Sequence, residues 1–458
     1  MRISKSSFIY IGPIMAWLFY AVLLHAGLGD KPAITAGIAL LTVVWWVTEA
    51  LPIPATSLVP FALLPLFGIT DHKTVSSALG SHVILLLMGA FMLSKSLEKS
   101  GAHERLAVYM VRLVGVSSGR RLVLGFMLAA AILSMWISNT ATTLIMLPIA
   151  LAILAHVQND KLKIALVLGI AYAANVGGIG TPIGTPPNVI FMGIFEEHTG
   201  QEYSFLQWMK VGVPVVLVSI PLMALWLTRG VKLNEKIELP KLEGWRKEES
   251  RTLIVFGLTA LAWITRKEPF GGWGGLFDIP LAGDSTVALA AVIVMFIVPN
   301  GKGGRLLDWQ SAVSIPWGML LLFAGGIALA KGFVASGLSS LLGDWLASLS
   351  NIHILFLLLI ICWVVTYLTE VTSNTATATL LMPILATAAV ASGHAPEVMM
   401  IPAAICASCA FMLPVATAPN AIAYGTDLIN IKDMVREGFV LSLGVSTIVA
   451  VICYLILV

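Results

Sequence analysis

Apolar runs long enough to cross a lipid bilayer recur from one end of the 458-residue chain to the other. A spanning α-helix needs about 20 mainly apolar residues, because its backbone polar groups must be satisfied within the segment. Charged residues make up only 11% of the chain, whereas about 25% is usual in a soluble domain. The runs do not alternate apolar and polar residues in steps of two, which excludes a β-barrel. The sequence therefore predicts an all-α polytopic membrane protein.

Eleven spans are predicted along the chain. Their approximate boundaries are 8–28, 33–50, 53–69, 81–98, 163–195, 211–228, 252–265, 285–299, 315–333, 397–425 and 438–457. Two further apolar regions, at about 121–155 and 352–390, are interrupted by polar residues, and each is predicted to form a re-entrant helical hairpin. A loop at membrane depth is tolerated only where protein or a watery cavity covers it. The segments 100–117 and 338–349 are too polar to span and are predicted to be amphipathic.

The polar interruptions come in two matched pairs. The string SNTAT occurs at 138–142 in the first hairpin and at 373–377 in the second. Each copy has a companion downstream that ends in Pro-Asn, namely GTPPN at 184–188 and ATAPN at 416–420. One such string would more often serve only to hydrogen bond within the membrane. Two copies in register, each with a Pro-Asn companion, favour a functional site.

The pairing extends to an internal repeat. SKSLEKSG at 94–101 matches AKGFVASG at 330–337, and the offset between matched positions stays between 232 and 236. The chain is thus predicted to consist of repeats at 1–228 and 252–458, joined by the hydrophilic linker 229–251.

The distribution of positive charge predicts the topology. Lys and Arg concentrate in five segments: 99–121, 159–163, 229–251, 300–308 and 431–437. All five face the cytoplasm if the N-terminus does and neither hairpin crosses the membrane, in agreement with the positive-inside rule. The C-terminus is then outside, the first hairpin opens to the cytoplasm and the second opens outward. Such inverted repeats are typical of secondary transporters, which bind substrate where broken helices meet.

The four interruptions offer partners for both a cation and an anion. Freed carbonyl groups together with Ser, Thr and Asn side chains suit a hard cation such as Na+, whereas bare N–H groups at helix N-termini suit an anion. No Lys or Arg lies within the four stretches. A multiply negative substrate bound there would need a mobile counter-charge, which favours cation-coupled transport.

With both Ser-Asn-Thr strings, GTPPN and ATAPN in view, the chain resembles the divalent anion/sodium symporter family over essentially its whole length. The resemblance implies a homodimer that works by an elevator mechanism in the lipid of a bacterial cytoplasmic (inner) membrane. It also implies a scaffold domain at about 8–117 and 252–349, and a transport domain at about 121–228 and 352–458.

The same resemblance implies which residues bind the ions and the substrate. The sodium ligands would be Ser134, Ser138, Asn139 and Gly184 at one site, and Thr369, Thr372, Asn374 and Ala416 at the other. The substrate-binding residues would be Ser138, Asn139, Thr140, Thr185, Ser373, Asn374, Thr375 and Thr417. One departure is Ala418, where many relatives have proline; it affects the backbone that would select substrate size.

Both copies contain the complete Ser-Asn-Thr sequence, and in this the chain is similar to the carboxylate-carrying members of the family. We therefore expect sodium-coupled symport of C4 dicarboxylates such as succinate, malate and fumarate, with Na+ as coupling ion and no cofactor. The alternatives are a sodium-independent dicarboxylate exchanger and a carrier that prefers either the tricarboxylate citrate or sulfate. An enzyme is disfavoured because the chain has no H-E-x-x-H and no Ser/His pair in its motifs, and the sequence has no basic tract for nucleic acid.

Several other polar residues lie in or near apolar segments. Glu370 lies one helical turn before the second string, and the sequence favours a functional and a structural role equally. Glu49 is expected to be solvated at a turn. His82, Lys95 and Lys331 are expected to be structural, since they lie near span ends where long side chains reach the interface. The four cysteines are expected to be small buried helix residues.

Overall fold

The computed structural model describes residues 5–155, 157–231, 244–341 and 353–458. Within these ranges every regular element is a helix, apart from one isolated bridge between Pro299 and Arg305, so the all-α prediction is confirmed. Most of the predicted amphipathic segment 338–349, the first residue of the second predicted hairpin and the centre of the linker lie outside the described residues.

The first repeat contains helices α1 to α12. They are α1 (Phe8–His25), α2 (Asp30–Thr48), α3 (Ile53–Thr56), α4 (Val59–Leu66), α5 (His72–Ser76), α6 (His82–Ser100), α7 (Ala102–Val114), α8 (Gly119–Ser134), α9 (Asn139–Leu154), α10 (Asp160–Gly177), α11 (Pro186–Thr199) and α12 (Phe205–Leu227). Short 3-10 turns lie at Lys5–Ser7 and Gly178–Gly180.

The second repeat contributes the other described helices. They are α13 (Lys247–Ile264), α14 (Gly272–Leu276), α15 (Asp284–Ile297), α16 (Trp309–Val313), α17 (Trp317–Ser336), α18 (Ile354–Thr369), α19 (Asn374–Ala391), α20 (Pro396–Cys406), α21 (Ala418–Tyr424) and α22 (Ile431–Leu457).

Seven of the described helices are long and apolar enough to cross a membrane. They are α1, α2, α10 with the 3-10 turn that follows it, α12, α17, α19 and α22. Shorter apolar helical stretches are α3 with α4, α9, α15, α18 and α20. The chain is thus a multi-pass helical membrane protein. The division into eleven spans and two hairpins remains a prediction.

Both predicted hairpins break at the Ser-Asn-Thr strings. α8 ends at Ser134 and α9 begins at Asn139, after Ser138 has turned to an extended conformation and its hydroxyl has accepted a hydrogen bond from the N–H of Ala141 at 3.1 Å. α18 ends at Thr369 and α19 begins at Asn374; Ser373 before α19 is also extended, but its hydroxyl accepts no cap hydrogen bond. Serine is a favoured N-cap, and in both strings it directly precedes the helix that follows the break.

The companion motifs break the chain a second time in each repeat. α10 gives way to the turn at Gly178–Gly180, and α11 begins only after Thr185. α20 ends at Cys406, and α21 begins after Thr417. The two threonines have nearly the same backbone angles, φ −145° and ψ 146° in the first repeat against φ −143° and ψ 153° in the second. The repeat seen in sequence is therefore also a repeat of local structure.

The predicted amphipathic segment at 100–117 contains helix α7. One of its faces is buried, and Leu113 on the opposite face is 88% exposed. Arg105 lies on the buried face, where its guanidinium pairs with Glu249 at 3.1 Å and covers the ring of Trp245. The helix is thereby attached to the beginning of α13. This amphipathic prediction is confirmed in its burial pattern.

Helices α8 and α10 approach each other closely because a glycine lies at their contact. A Cβ atom built on Gly177 would lie only 2.4 Å from the Cα and carbonyl oxygen of Ala131. Backbone cannot give way as a flexible side chain does, so any larger residue would push the two helices apart.

We expect Gly177→Ala to destabilise the protein by about 1–3 kcal/mol, the usual cost of overpacking a close-packed interior. Thermal unfolding in detergent would show a lowered midpoint. Gly257→Ala in α13 is the matched control, because a Cβ there meets nothing within 4 Å. Equal midpoints for the two variants would contradict the tight contact.

Candidate functional site

The four breaks meet at one cavity of about 790 Å³. Eleven of the thirteen residues predicted from the sequence line it: Ser138, Asn139, Thr140, Gly184, Thr185, Thr372, Ser373, Asn374, Thr375, Ala416 and Thr417. The other two, Ser134 and Thr369, are fully buried and hydrogen bonded to the asparagines of the strings. The structure thus brings all predicted site residues together, although they are far apart along the chain.

Oxygen atoms surround the amide of Asn139. The hydroxyl of Ser134 lies 2.6 Å from Asn139 Oδ1 and donates to the carbonyl oxygen of Ala174 at 2.7 Å. The carbonyl oxygens of Ala174 and Gly184 both lie 3.2 Å from the same end of the amide. An amide oxygen is stable among such acceptors only if a cation lies between them; otherwise the amide turns and donates its NH2 group. A hard cation takes oxygen ligands of this kind.

The same arrangement recurs at Asn374. The hydroxyl of Thr369 lies 2.6 Å from Asn374 Oδ1 and donates to the carbonyl oxygen of Ala407 at 2.9 Å. Thr372, predicted as a sodium ligand beside Thr369, has different surroundings. Its hydroxyl donates to the carbonyl oxygen of Leu368 and lies 2.7 Å from the hydroxyl of Thr377. The two clusters therefore share a core of hydroxyl, amide and carbonyl oxygen.

The Pro-Asn companions hold the second pair of breaks in shape. The amide nitrogen of Asn188 donates to the carbonyl oxygens of Gly178 at 3.0 Å and Thr181 at 2.8 Å. The amide nitrogen of Asn420 donates in the same way to Ala410 and Leu413, both at 3.1 Å. Each asparagine is fully buried and satisfies carbonyl groups that the break released. These side chains shape the wall behind the cavity.

Two residues that the sequence analysis did not identify tie the repeats together. The amide nitrogen of Asn175 in α10 donates to the hydroxyl of Thr417 at 3.1 Å. Ser408, which follows α20, places its hydroxyl 3.1 Å from that of Thr185. Each repeat thus holds the predicted substrate threonine of the other. The sequence signal that could have identified them was one polar residue close to the break between α10 and α11 and another close to the break between α20 and α21.

Comparisons with known proteins identify the family of the chain. A family profile described as citrate transporter matches residues 43–400. The sodium-dependent dicarboxylate transporter SdcS of Staphylococcus saprophyticus is 40% identical to the chain, over 97% of the chain and 90% of that protein. The protein of the same name from Staphylococcus aureus (strain MRSA252) is also 40% identical, over 98% and 90%. The chain belongs to the divalent anion/sodium symporter family. It is a transporter and not an enzyme.

A solved structure supports the fold of this transporter. The Alcanivorax borkumensis YdaH transporter aligns with a TM-score of 0.57, over 85% of this chain and 88% of that one. The sequence identity is 15%, so the likeness concerns the fold alone.

Glu370 lines the transporter's cavity but is fully engaged by the protein. Its carboxylate accepts hydrogen bonds from the N–H groups of Phe411 at 2.6 Å, Met412 at 2.9 Å and Leu413 at 3.2 Å, and from the hydroxyl of Ser442 at 3.2 Å. These are the N–H groups that the break between α20 and α21 releases. Of the two roles that the sequence left open, these contacts support the structural one.

The two lysines at matching positions of the repeats, Lys95 and Lys331, have different surroundings. Glu49, Lys95 and Glu98 line the cavity, and the ammonium group of Lys95 pairs with Glu98 at 2.7 Å. Glu49 is exposed, as expected. Lys331, the repeat mate of Lys95, does not line the cavity and pairs with Glu197 at the end of α11.

The loop after α11 carries a further ion-pair network. Glu202 pairs with Arg266 at 2.7 Å and with Lys267 at 3.3 Å. Burial raises the pKa of Glu202, but the two cations outweigh it and hold that pKa below its ordinary value. Arg266 also pairs with the buried Asp284, which accepts a hydrogen bond from the N–H of Phe205. The beginning of α12 is therefore bound to α13 and α15.

We expect Glu370→Gln to destabilise the transporter by about 1–3 kcal/mol, because a neutral amide turns one NH2 group towards donors that need an acceptor. The thermal unfolding midpoint in detergent would fall. Glu268→Gln is the control, since Glu268 forms a half-exposed pair with Lys210 and such pairs are worth about 0–1 kcal/mol. A midpoint for Glu370→Gln equal to that of the control would rule out this structural role.

Proposed function

We propose that the protein is a secondary active transporter that carries C4 dicarboxylates, such as succinate, malate and fumarate, into the cell with Na+. The observation that carries the proposal is the pair of matching oxygen clusters around Asn139 and Asn374 at one cavity. The hydroxyl, carbonyl and amide oxygens of these clusters suit Na+, and the N-termini of α9 and α19 beside them suit carboxylate groups. The names of the relatives support the same choice.

The ligands are those that the sequence resemblance implies. Ser134, Ser138, Asn139 and the carbonyl of Gly184 hold one Na+; Thr369, Thr372, Asn374 and the carbonyl of Ala416 hold the other. The substrate carboxylates meet Ser138, Asn139, Thr140, Thr185, Ser373, Asn374, Thr375 and Thr417. The geometry favours Thr369 over Thr372 as a ligand, because the hydroxyl of Thr372 is already bonded within its own turn.

Charge balance supports coupling to a cation. Among the described residues that line the cavity, the only basic side chain is Lys95, and Glu98 neutralises it. Helix N-termini carry only about half a charge each, too little to neutralise a dianion in an apolar protein. Two Na+ ions bound beside the substrate offset its charge and lower the cost of moving it across the membrane.

The transport movement proposed is that of an elevator. A transport domain at about 121–228 and 352–458 slides against a scaffold at about 8–117 and 252–349, and the scaffold forms a homodimer within the lipid of the inner membrane. The repeats are inverted, with the N-terminus in the cytoplasm and the C-terminus outside. The cavity reaches the ends of α2 and α6, which the charge distribution assigns to the cytoplasm, so the conformation described here faces inward.

Citrate is the second candidate substrate. The description of the matching family profile favours it, and a cavity of about 790 Å³ has room for a tricarboxylate. Ala418, at the exposed start of α21, lines that cavity, and the family resemblance implies proline at this position in many relatives.

We expect Asn139→Ala and Asn374→Ala each to lower Na+-driven succinate uptake in proteoliposomes by at least about tenfold, the effect of losing about 1.4 kcal/mol of binding. Each removes the amide at the centre of one oxygen cluster. Asn300→Ala is the control, because Asn300 serves only to order an exposed turn. Unchanged uptake in both cavity variants would overturn the assignment.

The same vesicles separate the alternatives. Uptake that needs internal dicarboxylate and proceeds without Na+ would indicate an exchanger. Competition of labelled succinate by unlabelled malate, fumarate, citrate and sulfate would rank the substrates.

A further inference from the structure

The two repeats differ in how α6 and α17 meet the helices that follow the Pro-Asn motifs. α17 packs directly against α11. A Cβ atom built on Gly193 would lie 2.8 Å from Cδ1 of Ile327, which is buried. One turn further along α17, Lys331 forms an ion pair with Glu197. An apolar contact at a glycine and an ion pair at the helix end thus close this side of the protein.

The residues at the matching positions of the other repeat, their repeat mates, are present but are not in contact with each other. The offset of 236 relates Ile327 to Phe91, and the offset of 232 relates Gly193 to Gly425. Phe91 is only partly buried and lines the cavity. Gly425 is exposed, and a Cβ atom there would meet only the carbonyl oxygens of its own preceding turn, at 3.4 and 3.5 Å. The cavity therefore occupies the place of the contact that the other repeat makes.

The charged residues follow the repeat only in part. Lys331 corresponds to Lys95, which also lines the cavity and pairs with Glu98 of its own helix. The mate of Glu98 in α17 is Val334, so α17 offers its lysine no such partner. The offset of 232 relates Glu197 to Ile429, and two residues earlier lies Asp427, an exposed carboxylate for which no ion pair is found in the described part of the chain.

We propose that Phe91 packs on Gly425 and that Lys95 leaves Glu98 to pair with Asp427 when the binding site opens to the outside. These four are positioning residues: they touch neither ion nor substrate, and they hold the two domains in the second conformation. Gly425 is required because a side chain there would keep Phe91 away. Glu98 holds Lys95 while the cavity is open. The proposal rests on the proposed alternating-access function.

The two contacts exclude one another. The pair on α17 closes the side that the charge distribution places outside, and the pair on α6 closes the cytoplasmic side. Packed surfaces adopt discrete arrangements and do not deform continuously, so a domain that moves one way exchanges one contact for the other. Because the contacts have similar chemistry, neither conformation is strongly favoured, and ligand binding is able to shift the population.

Disulfide trapping tests the contact directly. In a protein whose four buried cysteines are replaced by alanine, the pair Phe91→Cys and Gly425→Cys is expected to cross-link under oxidation in proteoliposomes during transport. The pair Gly193→Cys and Ile327→Cys is the matched control and should cross-link in the conformation described here. Linked peptides are identified by mass spectrometry. If the control pair links and the first pair never does, the proposal is overturned.

Gly425→Leu provides a functional test. It should lower succinate uptake by at least about tenfold while Na+-dependent thermal stabilisation by succinate is retained, because the site itself is untouched. Gly444→Leu in α22 is the control, since Gly444 is also exposed and a Cβ there meets nothing within 4 Å. Uptake by Gly425→Leu equal to that of the control would overturn the proposal.

Asp427→Asn tests the ion pair. Asn tolerates the positive φ of 58° at this position, so only the charge is removed. Turnover should fall by about twofold to fivefold, the range expected for a partly exposed pair, with succinate binding unchanged. Unchanged turnover would overturn the Lys95–Asp427 pair. A parent protein that neither binds nor takes up succinate would instead disprove the proposed substrate, and cross-linking under Na+ with other anions would still test the contact.

Discussion

Four helices of this protein break inside apolar surroundings, and the rest of the structure depends on satisfying the backbone groups that those breaks release. No water from bulk solvent reaches the buried faces, so the protein must supply the partners. Asn188 and Asn420 bond the freed carbonyl groups, while Glu370 accepts from three freed N–H groups. Behind the cavity, Ser134 and Thr369 fix the two central asparagines. Polar groups at this depth are therefore held rigidly, which a binding site requires.

The duplicated hydrogen bonds connect this constraint to function. In each repeat an asparagine bonds freed carbonyl groups and a hydroxyl fixes the central asparagine, and in the second repeat Glu370 also accepts from freed N–H groups. Asn175 and Ser408 then join the two repeats. What differs is outside this central unit: α17 contacts the end of α11, whereas α6 faces the cavity. A symmetric binding unit between asymmetric neighbours is what a carrier needs if it is to present one site to two sides of a membrane.

Much of the fold was predictable, because membrane helices leave strong local signals. The two interrupted hairpin regions, the amphipathic α7 and the pairing of motifs all follow from apolar runs and repeated strings, and the site residues came from the family resemblance. Asn175 and Ser408 escaped prediction because a single polar residue in an apolar helix has many structural uses. The environment of Thr372 also escaped: its hydroxyl donates to the carbonyl oxygen of Leu368 and lies 2.7 Å from the hydroxyl of Thr377 in α19, and the sequence does not fix the conformation of the break between α18 and α19.

The sequence by itself determined that the chain is an all-helical membrane protein with an internal repeat and four polar breaks. These properties follow from local composition, since apolar length and helix-capping residues act within a few turns. Only the tertiary structure decided that the breaks share one cavity, that Glu370 is bound by backbone N–H groups, and that Lys95 and Lys331 have different partners. The first two outcomes depend on contacts between residues more than 40 positions apart, and the third depends on which helices meet in the conformation adopted. A local pattern encodes neither.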